Sequence, residues 1–527
     1  MIKARTQTPE YWEKGFHLTD SDVEQLYNHF IETEKPQTIE QLTAVLINHR
    51  VNEEVRKIEH TIKGHQMYQP QNNYEVGDKL VFPALDFVQG TVTGLRQGFN
   101  PQEGDFQVIA VEIGGRMREF VAAYMKPHVL SSDDGQDLIE MLNLDKELLY
   151  KTYGKTLGEK LGQSLTEHSE FIELGSQWFV KSLMAEINVG HLHLSEAVLE
   201  INEGGPMAVE EILPNLDLDT GIDPAVQKFS LNYALKNDGR FDDVGGRGKV
   251  AWFLRRLEPE EVQQIPGRLV YRPIDYDRSS LSPQLRSLER ELDDEWSRLE
   301  PVQKSQPAIL ALTYPHRWAG TLPLSSRLKP LFDTGSSPQQ RVVLIDEETE
   351  ENIVGWVVPE GSYVFGLGDW YNKNKIPVGG FIHLAPTDQQ GVLTLGYEIR
   401  RPKREWVRLA TSQDNRIHFE LERRSIGCGY DDLLIVGTDV VAAIDALWRR
   451  ADANQRSIVS LLIELFPTLA ALTPQKAVHA KTLYSALNML RRTPPGPIFA
   501  ELVNNPAFQT VGDHYWTFDE SRLHGGR

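Results

Sequence analysis

Hydrophobic residues recur at helical spacing near the start of the chain. Between residues 19 and 35 the apolar positions lie three or four residues apart: Val23, Leu26, Tyr27 and Phe30. This spacing predicts an α-helix, and Thr19 or Asp20 can accept hydrogen bonds from its first backbone amides. Pro36 ends the helix, and a second helix with its own apolar face begins at Thr38. The two segments predict a helical hairpin.

The hydrophobic period shortens to two between residues 74 and 125. Short alternating segments separated by glycines predict strands at 74–82, 90–94, 106–113 and 118–122. Several short strands so close together are typical of a small barrel. The segment Val76-Gly-Asp-Lys-Leu-Val81 resembles the first turn of SH3-like barrels in nucleic-acid and transcription-associated proteins. A small SH3-like β-barrel is therefore predicted.

One short phrase occurs three times along the chain. An aromatic residue is followed four residues later by a glycine, and then by a tryptophan among apolar residues: Phe171, Gly175 and Trp178; Phe241, Gly245 and Trp252; Phe508, Gly512 and Trp516. Each copy follows a helical pattern. A buried aromatic, a glycine at the turn and a returning tryptophan predict a two-stranded hairpin that packs on the preceding helices. The sequence therefore predicts tandem helical modules that are each closed by a hairpin.

The region between the second and third copies combines one amphipathic helix with many strands. The helix is predicted from apolar residues at helical spacing: Leu285, Leu288, Leu292, Trp296 and Leu299. The charges around them are predicted to form a solvated face. The strands are predicted at 308–312, 341–345, 354–358, 381–384, 392–399 and 417–421, and a further helix at 439–450.

The predicted fold class is a multidomain α+β protein with three winged-helix-like modules, one small SH3-like β-barrel and one larger β-rich, pseudobarrel-like domain. The predicted parts are an N-terminal helical hairpin belonging to the first module (1–70), the barrel (71–130), the end of the first module (131–185), the second module (189–258), a connector (259–307), the β-rich domain (308–430) and the C-terminal module (431–527).

Composition restricts the classes of function. The chain has 527 residues, too many for one hydrophobic core. The sequence contains no run of eighteen apolar residues, so no membrane span is predicted, and Met1–Glu10 lacks the apolar core of a secretory signal. A single cysteine, Cys428, excludes an intrachain disulfide. These features predict a cytoplasmic protein. The net charge of −20 opposes non-specific nucleic-acid binding, unless the basic residues are gathered locally.

Two parts of the chain resemble known protein families. Helices followed by Asn237-Asp-Gly-Arg-Phe241-Asp-Asp-Val-Gly245 and a tryptophan strand resemble the HARE-HTH winged-helix family, which includes the N-terminal domain of the bacterial RNA polymerase delta subunit. Asn504-Asn-Pro-Ala-Phe508-Gln-Thr-Val-Gly512 matches as well. The resemblance spans about 190 residues in three blocks and implies contact with DNA or with RNA polymerase. The chain departs from that family in having three divergent copies around β domains and no long acidic tail.

The second resemblance covers about sixty residues. The segment from Gly366 to Gly380 has a Trp-Tyr pair, a polar turn and Val-Gly-Gly before an apolar strand. It resembles pseudobarrel DNA-binding domains of the plant transcription-factor type, which also occur as effector domains of some restriction enzymes. This resemblance also implies DNA binding.

Local charge selects candidate nucleic-acid contacts. The middle module carries eight acids and no Lys or Arg between Gly190 and Gln227, which favours a protein partner for its helices. Basic residues gather instead in its wing, in the C-terminal module and in the β-rich domain. The predicted contacts are Arg247, Lys249, Arg400, Arg401, Lys403, Arg404, Trp406, Arg408, Lys476, Lys481, Arg491 and Arg492. Arginines beside an exposed aromatic suit phosphate contact and base stacking. A solvated face, a charge-protected strand edge or a helix-dipole contact explains each cluster without function.

Catalytic motifs are mostly missing from the sequence. It has no P-loop and no His-Glu-x-x-His motif, and His191 and His193 could ligate a metal only with distant partners. The carboxylates in 346–351 could hold a metal for nuclease chemistry, although a solvated turn is the commoner role. Cys428 is interpreted as inert core filler. No catalytic residue, metal or cofactor is predicted.

The sequence therefore predicts a non-enzymatic, nucleic-acid-associated or transcription-associated regulatory protein. DNA and RNA polymerase, or another transcription protein, are the expected partners. Two alternatives stay open. One is an acidic protein-interaction scaffold that does not bind DNA, and the other is a metal-dependent nuclease.

Overall fold

The computed structural model describes residues 5–85, 87–100, 102, 104–128, 146–246, 248–302, 306–332, 337–389 and 391–524. It shows a mixed α+β protein with several separate sheets. The chain forms two compact units. One comprises Met1–Ile187 and Leu218–Tyr233, and the other comprises Asn188–Asp217 and Ala234–Arg527. Among the described helices, none is both long and apolar enough to cross a membrane.

The α-helices follow one another along both units. In chain order they are α1 Asp20–Thr33, α2 Ile39–Ile62, α3 Lys146–Thr166, α4 Val189–Ile201, α5 Val209–Ile212, α6 Pro224–Lys236, α7 Glu260–Gln263, α8 Pro283–Leu292, α9 Tyr314–Ala319, α10 Gly368–Lys373, α11 Val441–Ala453, α12 Ile458–Ala470, α13 Ala480–Leu487 and α14 Pro495–Asn504.

The strands fall into groups along the chain. The N-terminal group is β1 Gln37–Thr38, β2 Gln66–Met67, β3 Lys79–Phe82, β4 Val88–Gln97, β5 Gln107–Ile113, β6 Arg116–Ala122, β7 Phe171–Leu174 and β8 Gln177–Val180. The second unit contains β9 Phe241–Asp243, β10 Trp252–Leu254, β11 Ala308–Ala311, β12 Thr321–Pro323, β13 Gln340–Asp346, β14 Asn352–Val358, β15 Tyr363–Phe365, β16 Phe381–Pro386, β17 Val392–Tyr397, β18 Ile399–Gln413, β19 Arg416–Cys428, β20 Val436–Gly437, β21 Val478–His479, β22 Phe508–Gly512 and β23 Tyr515–Phe518.

The first unit is built on the predicted helical hairpin. Thr19 caps α1 by accepting from the Asp22 amide, and Asp22 in turn accepts from the Thr19 amide. Asp22 is also held by an ion pair with buried Arg50, at 2.7 Å. Apolar side chains of α1, α2 and α3 form one core with the β7–β8 hairpin. The first ten residues of α6 belong to this unit and add Val226 and Phe229 to that core.

A five-stranded sheet lies along the chain between α2 and α3. Its strand order is β2-β3-β4-β5-β6, antiparallel except for the first pair. Its own core contains Leu80, Phe82, Val92, Ile109 and Val111. The β structure predicted here from alternation is confirmed, and its assignment as an SH3-like barrel stays a prediction.

The three copies of the repeated phrase form hairpins with the same pairing. The aromatic residue opens the first strand and pairs across to the end of the second: Phe171 with Val180, Phe241 with Leu254 and Phe508 with Phe518. The tryptophan of each second strand is buried and pairs with a residue in an earlier short segment: Trp178 with Gln37, Trp252 with Met207 and Trp516 with Val478.

The order of helices around the three hairpins is also the same, with the five-stranded sheet inserted between α2 and α3 of the first copy. Each has a helix, a short extended segment, a helix, a further helix and then the hairpin: α1, β1, α2, α3 and β7–β8; α4, Met207, α5, α6 and β9–β10; α12, β21, α13, α14 and β22–β23. The predicted hairpin at each repeat is thus confirmed. The two compact units cut across the second copy, because residues 218–233 group with the first unit, so the module boundaries stay predictions.

The β-rich part of the second unit is a seven-stranded sheet. Its order is β11-β16-β17-β13-β14-β15-β12, and only the β13–β17 pair is parallel. The short helices α9 and α10 occur within it along the chain, and Trp370 and Tyr371 of α10 are buried in its core. Five of the six predicted strands lie in this sheet, and the sixth, predicted at 417–421, lies within β19 of a separate three-stranded sheet with the order β19-β18-β20. The short strands β12 and β15, and the long strand β18, were not predicted, because their sequences do not alternate cleanly.

The connector contains the predicted amphipathic helix, but the helix is shorter than its pattern suggests. It ends at Leu292, because Asp293 adopts a left-handed backbone with φ of 45°. The prediction that the surrounding charges are solvated is wrong for Glu289, Asp294 and Glu295, which are buried. Ion pairs with Arg278 and Arg492 compensate these carboxylates in the interior.

A buried histidine makes the C-terminal hairpin region sensitive to acid. His479 caps α13 by accepting from the Lys481 amide at 3.1 Å. Burial, and then His514 and Lys481 nearby, lower the pKa of His479 from 6.5 to about 4. Between those pH values His479 is protonated in the unfolded chain and neutral in the folded chain. The free energy of unfolding therefore falls as the pH drops from about 6.5 towards 4.

We expect the His479→Asn variant to lose less stability than the wild type between about pH 7 and pH 4.5, because asparagine caps a helix without titrating. Urea midpoints at several pH values measure this difference. Burial raises the pKa of Glu258 to about 7, which has the opposite effect, but it acts equally in both proteins. Parallel midpoint curves for the two proteins would contradict the prediction.

Candidate nucleic-acid interface

The most basic predicted stretch lies on a long two-stranded hairpin. Strands β18 and β19 pair antiparallel from Lys403–Ile426 to Gln413–Arg416. Within the described sheet, β18 also pairs with the short strand β20, and β19 is an edge strand. Ala410, Ile417 and Phe419 near the turn are buried in the core shared with α11 to α14. The core therefore anchors the turn end of the hairpin, and the basic residues lie at the opposite end.

A bulge interrupts the pairing where the cations begin. Ile399 pairs with Cys428 and Lys403 pairs with Ile426, so three residues of β18 lie opposite Gly427. Pro402 lies in this bulge and has no amide to donate to a neighbouring strand. Bulges twist a strand and turn side chains away from their alternating positions. The bulge thus changes the directions in which Arg400 and Arg401 extend.

The cations of the hairpin differ in whether a carboxylate neutralises them. Arg400 pairs with Glu398 at 2.6 Å, and Arg424 pairs with Glu422 and Asp439. Three other cations of β18 are exposed, and none forms an ion pair with another part of the chain that the structure describes: Arg401, Lys403 and Arg404. These three side chains are available to an external anion.

An exposed tryptophan lies next to these cations. Trp406 has 56% of its surface exposed, and it pairs across the hairpin with Arg423. The Arg423 guanidinium lies 5.1 Å from the centre of the Trp406 ring. Alternation along the strands places Arg404 and Leu421 on the same face, and Leu421 is 42% exposed. This face combines cations, an aromatic ring and an aliphatic side chain.

Arg408 has a structural role instead of the predicted contact role. Its guanidinium donates to the backbone oxygens of Asp432 at 2.7 Å and of Ile435 at 3.4 Å. Burial lowers the pKa of Arg408, which is consistent with a side chain enclosed by protein. Arg408 therefore fixes the loop before β20 against the hairpin.

The structure corrects two of the four predicted contacts in the C-terminal module, Lys481 and Arg492, and partly encloses a third, Arg491. Lys481 is buried between Glu291 and Asp431, which accept from its ammonium group. Arg492 is 3% exposed and is held by Asp294 and Glu295. Arg491 is half-buried and donates to the Arg456 backbone oxygen at 2.6 Å. Sequence reasoning counted Lys481 and Arg492 as free because their carboxylate partners are about 50 to 200 residues away.

The ion pairs of Arg492 belong to a buried network. The guanidinium lies 2.7 Å from Asp294 and 2.6 Å from Glu295. Tyr484 donates to Asp294 at 2.6 Å, and His316 lies 3.1 Å from Glu295. Burial opposes ionisation of Glu295, but the charges of Arg492 and His316 outweigh it and lower the pKa of this carboxyl. The network therefore joins the connector, the β-rich region and the C-terminal helices through charge.

The remaining predicted cations lie elsewhere. Lys476 is exposed, in a left-handed backbone conformation with φ of 52°. Lys249 is exposed in the β9–β10 turn, and Arg247 lies outside the described residues. The neighbouring Arg255 and Arg256 are paired with acids of the same module. The wing of this module is therefore less basic than its sequence suggests.

The carboxylates in 346–351 organise a turn. Asp346 accepts from the Glu348 amide at 2.8 Å and from the Trp370 indole at 2.6 Å, and Glu351 pairs with Lys373 at 2.5 Å. Cys428 is buried, and burial raises the pKa of its thiol to about 11. Within the described ranges, no group of three or more His, Cys, Asp or Glu residues is arranged to hold a metal ion.

The pairing of Trp406 with Arg423 was not predicted from the sequence. The sequence signal that could have revealed it is alternation, because residues two positions apart lie on the same face of a strand. Arg404 and Trp406 have this spacing, and so do Leu421 and Arg423. The strand register needed to align them is set by tertiary structure.

Comparisons with family models, curated proteins and solved structures found no match to this chain.

Proposed function

We propose that this protein binds nucleic acid through the bulged end of the β18–β19 hairpin and acts as a non-enzymatic regulatory protein. The observation that carries the proposal is the group of exposed cations without carboxylate partners at this end of the hairpin, together with the exposed Trp406, which shares its face with Arg404. Its expected setting is DNA-associated or transcription-associated regulation, with RNA polymerase as a further candidate partner.

The chemistry of this surface suits a polynucleotide. Arg401, Lys403 and Arg404 can neutralise phosphates and release their counterions. Trp406 offers a flat apolar face on which a base can stack, and Arg423 holds its ring from one side. A two-stranded ribbon is narrow enough to enter a groove or follow a strand. Local cations without partners also explain how a chain with a net charge of −20 can bind an anion.

The surrounding architecture supports the same function. The three hairpins share their pairing and their order of helices, as expected for tandem winged-helix modules of the HARE-HTH type. The seven-stranded sheet with two short helices agrees with a pseudobarrel of the plant transcription-factor type. Both resemblances imply DNA contact, although a fold alone does not define function.

Loss of the exposed ring tests the proposal. We expect Trp406→Ala to weaken binding of a single-stranded DNA oligonucleotide by roughly tenfold to a hundredfold, because stacking contributes about 1–3 kcal/mol per base. Fluorescence anisotropy at constant salt measures the affinity. Phe99→Ala is the matched control, because Phe99 is also an exposed aromatic, at 91%, but lies outside the hairpin. Equal affinities of the two variants and the wild type would refute a stacking role.

A protein-interaction scaffold is the second candidate. Helix α4 exposes Leu194 and Ile201, seven residues apart and thus on one face, beside the acids of the middle module. An acidic face with exposed apolar residues suits a basic protein partner. Wild-type protein that retains no DNA at low salt, but retains a basic protein, would favour this function over nucleic-acid binding.

A further inference from the structure

Two adjoining cavities in the second unit form a cleft that is separate from the basic end of the hairpin. One is about 230 Å³ and is walled by the segment 267–272, by α11 and by residues 490–492. The other is about 410 Å³ and reaches the β18–β19 turn. Ala451, Arg456 and Leu490 line both cavities. A cleft of this combined size can hold a small anionic group together with part of the molecule that carries it.

Arginine dominates the lining of this cleft. Besides Arg492, whose charge is already balanced, the lining arginines are Arg272, Arg416, Arg450, Arg456 and Arg491. The lining carboxylates are fewer: Asp414, Asp452 and Glu464. The amides of Asn415, Asn454 and Gln455 add hydrogen-bond donors. The cleft is therefore electropositive in a protein whose overall charge is strongly negative.

Ion pairing leaves some of these arginines without an anion. Arg456 pairs with Glu464 at 2.6 Å, and Arg272 pairs with Asp452 at 3.2 Å. In the part of the chain that the structure describes, Arg416, Arg450 and Arg491 form no ion pair. Three cations without an ion pair thus line the two adjoining cavities, Arg416 and Arg450 in the larger one and Arg491 in the smaller one.

Arg491 is the most informative of the three because it is partly enclosed. One of its guanidinium nitrogens donates to the Arg456 backbone oxygen, at 2.6 Å. Burial, and then the charge of Arg272, lower the pKa of Arg491. A half-buried guanidinium beside a second one is desolvated and repelled, and a bound anion would relieve both penalties.

One wall of the cleft is sterically fixed. A Cβ placed on Gly267 would lie 2.9 Å from the Trp448 ring, so the indole packs directly on this backbone. Trp448 also lies 5.9 Å from the Arg268 guanidinium, which pairs with Asp445. These contacts hold α11 against the connector and keep the cleft open between them.

We propose that this cleft binds a phosphate group through Arg491, Arg450 and Arg416. Guanidinium groups bind tetrahedral oxyanions in a bidentate manner. Arg416 and Arg450 line the larger cavity together, and Arg491 lines the adjoining smaller one. The phosphate can belong to a nucleic-acid backbone or to a free nucleotide. The site does not depend on the hairpin contacts proposed above, because it uses other residues.

A thermal-stability titration with inorganic phosphate tests the site. Phosphate should raise the melting temperature of the wild type above that in sodium chloride of equal ionic strength, because a ligand stabilises the state that binds it. We expect Arg491→Gln and Arg450→Gln each to weaken the apparent phosphate affinity by about tenfold, since each removes charge-assisted hydrogen bonds. Arg449→Gln is the matched control, because Arg449 is the exposed neighbour of Arg450 on α11 and does not line the cleft.

The outcomes separate this proposal from its competitors. No stabilisation beyond that in chloride, or equal phosphate affinity in all three variants, would overturn it. Arg450→Gln alone suffices to decide the matter if Arg491→Gln fails to fold. Adenosine monophosphate that binds about tenfold tighter than phosphate would identify a nucleotide ligand.

A nucleic-acid source gives a different result. A short single-stranded oligonucleotide would then bind the Arg491→Gln variant more weakly than the wild type, while adenosine monophosphate would bind no tighter than phosphate. Glutamate at the hairpin residues Arg401, Lys403 and Arg404 should leave phosphate stabilisation unchanged. Phosphate stabilisation therefore tests the cleft alone, and a failure of the hairpin to bind nucleic acid would leave it unchanged.

Discussion

Glutamate in place of Arg401, Lys403 and Arg404 is expected to weaken single-stranded DNA binding by roughly two orders of magnitude or more at about 0.1 M salt. Each cation that neutralises a phosphate contributes about 0.7 to the slope of log affinity against log salt for a single strand. Loss of three contacts should therefore lower the magnitude of this slope by about 2. Anisotropy titrations at several salt concentrations measure both quantities.

The control must change the same amount of charge at another place. Arg56, Lys63 and Lys155 are exposed cations of the first unit, and changing all three to glutamate gives the same net charge as the hairpin variant. If overall charge alone governed binding, the two triple variants would behave alike. Equal affinity and equal salt slope in both would therefore refute the hairpin as the contact surface.

Arg492→Met is expected to destabilise the second unit by about 3–5 kcal/mol, which is a typical effect of breaking a buried ion pair. Methionine fills similar space but leaves Asp294 and Glu295 buried without their cation. Burial raises the pKa of Asp294 already in the wild type, and the lost guanidinium would add to that penalty for both carboxylates. Urea denaturation followed by tryptophan fluorescence measures the loss.

Two further variants assign the effect to charge. Lys476→Met removes an exposed cation of the same module, and we expect it to change stability by less than about 0.5 kcal/mol. Addition of Asp294→Asn and Glu295→Gln to Arg492→Met should recover part of the lost stability, because no uncompensated buried charge remains. Stability of Arg492→Met equal to that of the wild type would show that the network is not coupled as the distances suggest.

Much of the local structure could be predicted from the chain itself. The spacing of Leu26 and Phe30 predicted α1, and the repeated aromatic, glycine and tryptophan predicted three hairpins, because these patterns depend on neighbours in sequence. Alternation likewise predicted most strands of the seven-stranded sheet. The long strand β18 was missed because its charges and Pro402 obscure the alternation.

The candidate site was predicted only in part for a different reason. Arg401, Lys403, Arg404 and Trp406 are exposed, as the sequence suggested. Lys481 and Arg492 belong to similar basic stretches and are buried. Charge density along a chain does not distinguish these cases, because a carboxylate that neutralises a cation can come from a distant segment.

Hydrophobic period, turn residues and capping residues of this protein determined where its helices and hairpins form, since those choices are made within a few residues of backbone. Tertiary structure alone decided which arginines stay free for an anion and which become part of the interior. That decision depends on strand register and on partners up to about 200 residues away, as for Arg492 and Asp294. The free energy of a charge is set by the groups around it in space, and the order of residues along the chain does not show which groups those are.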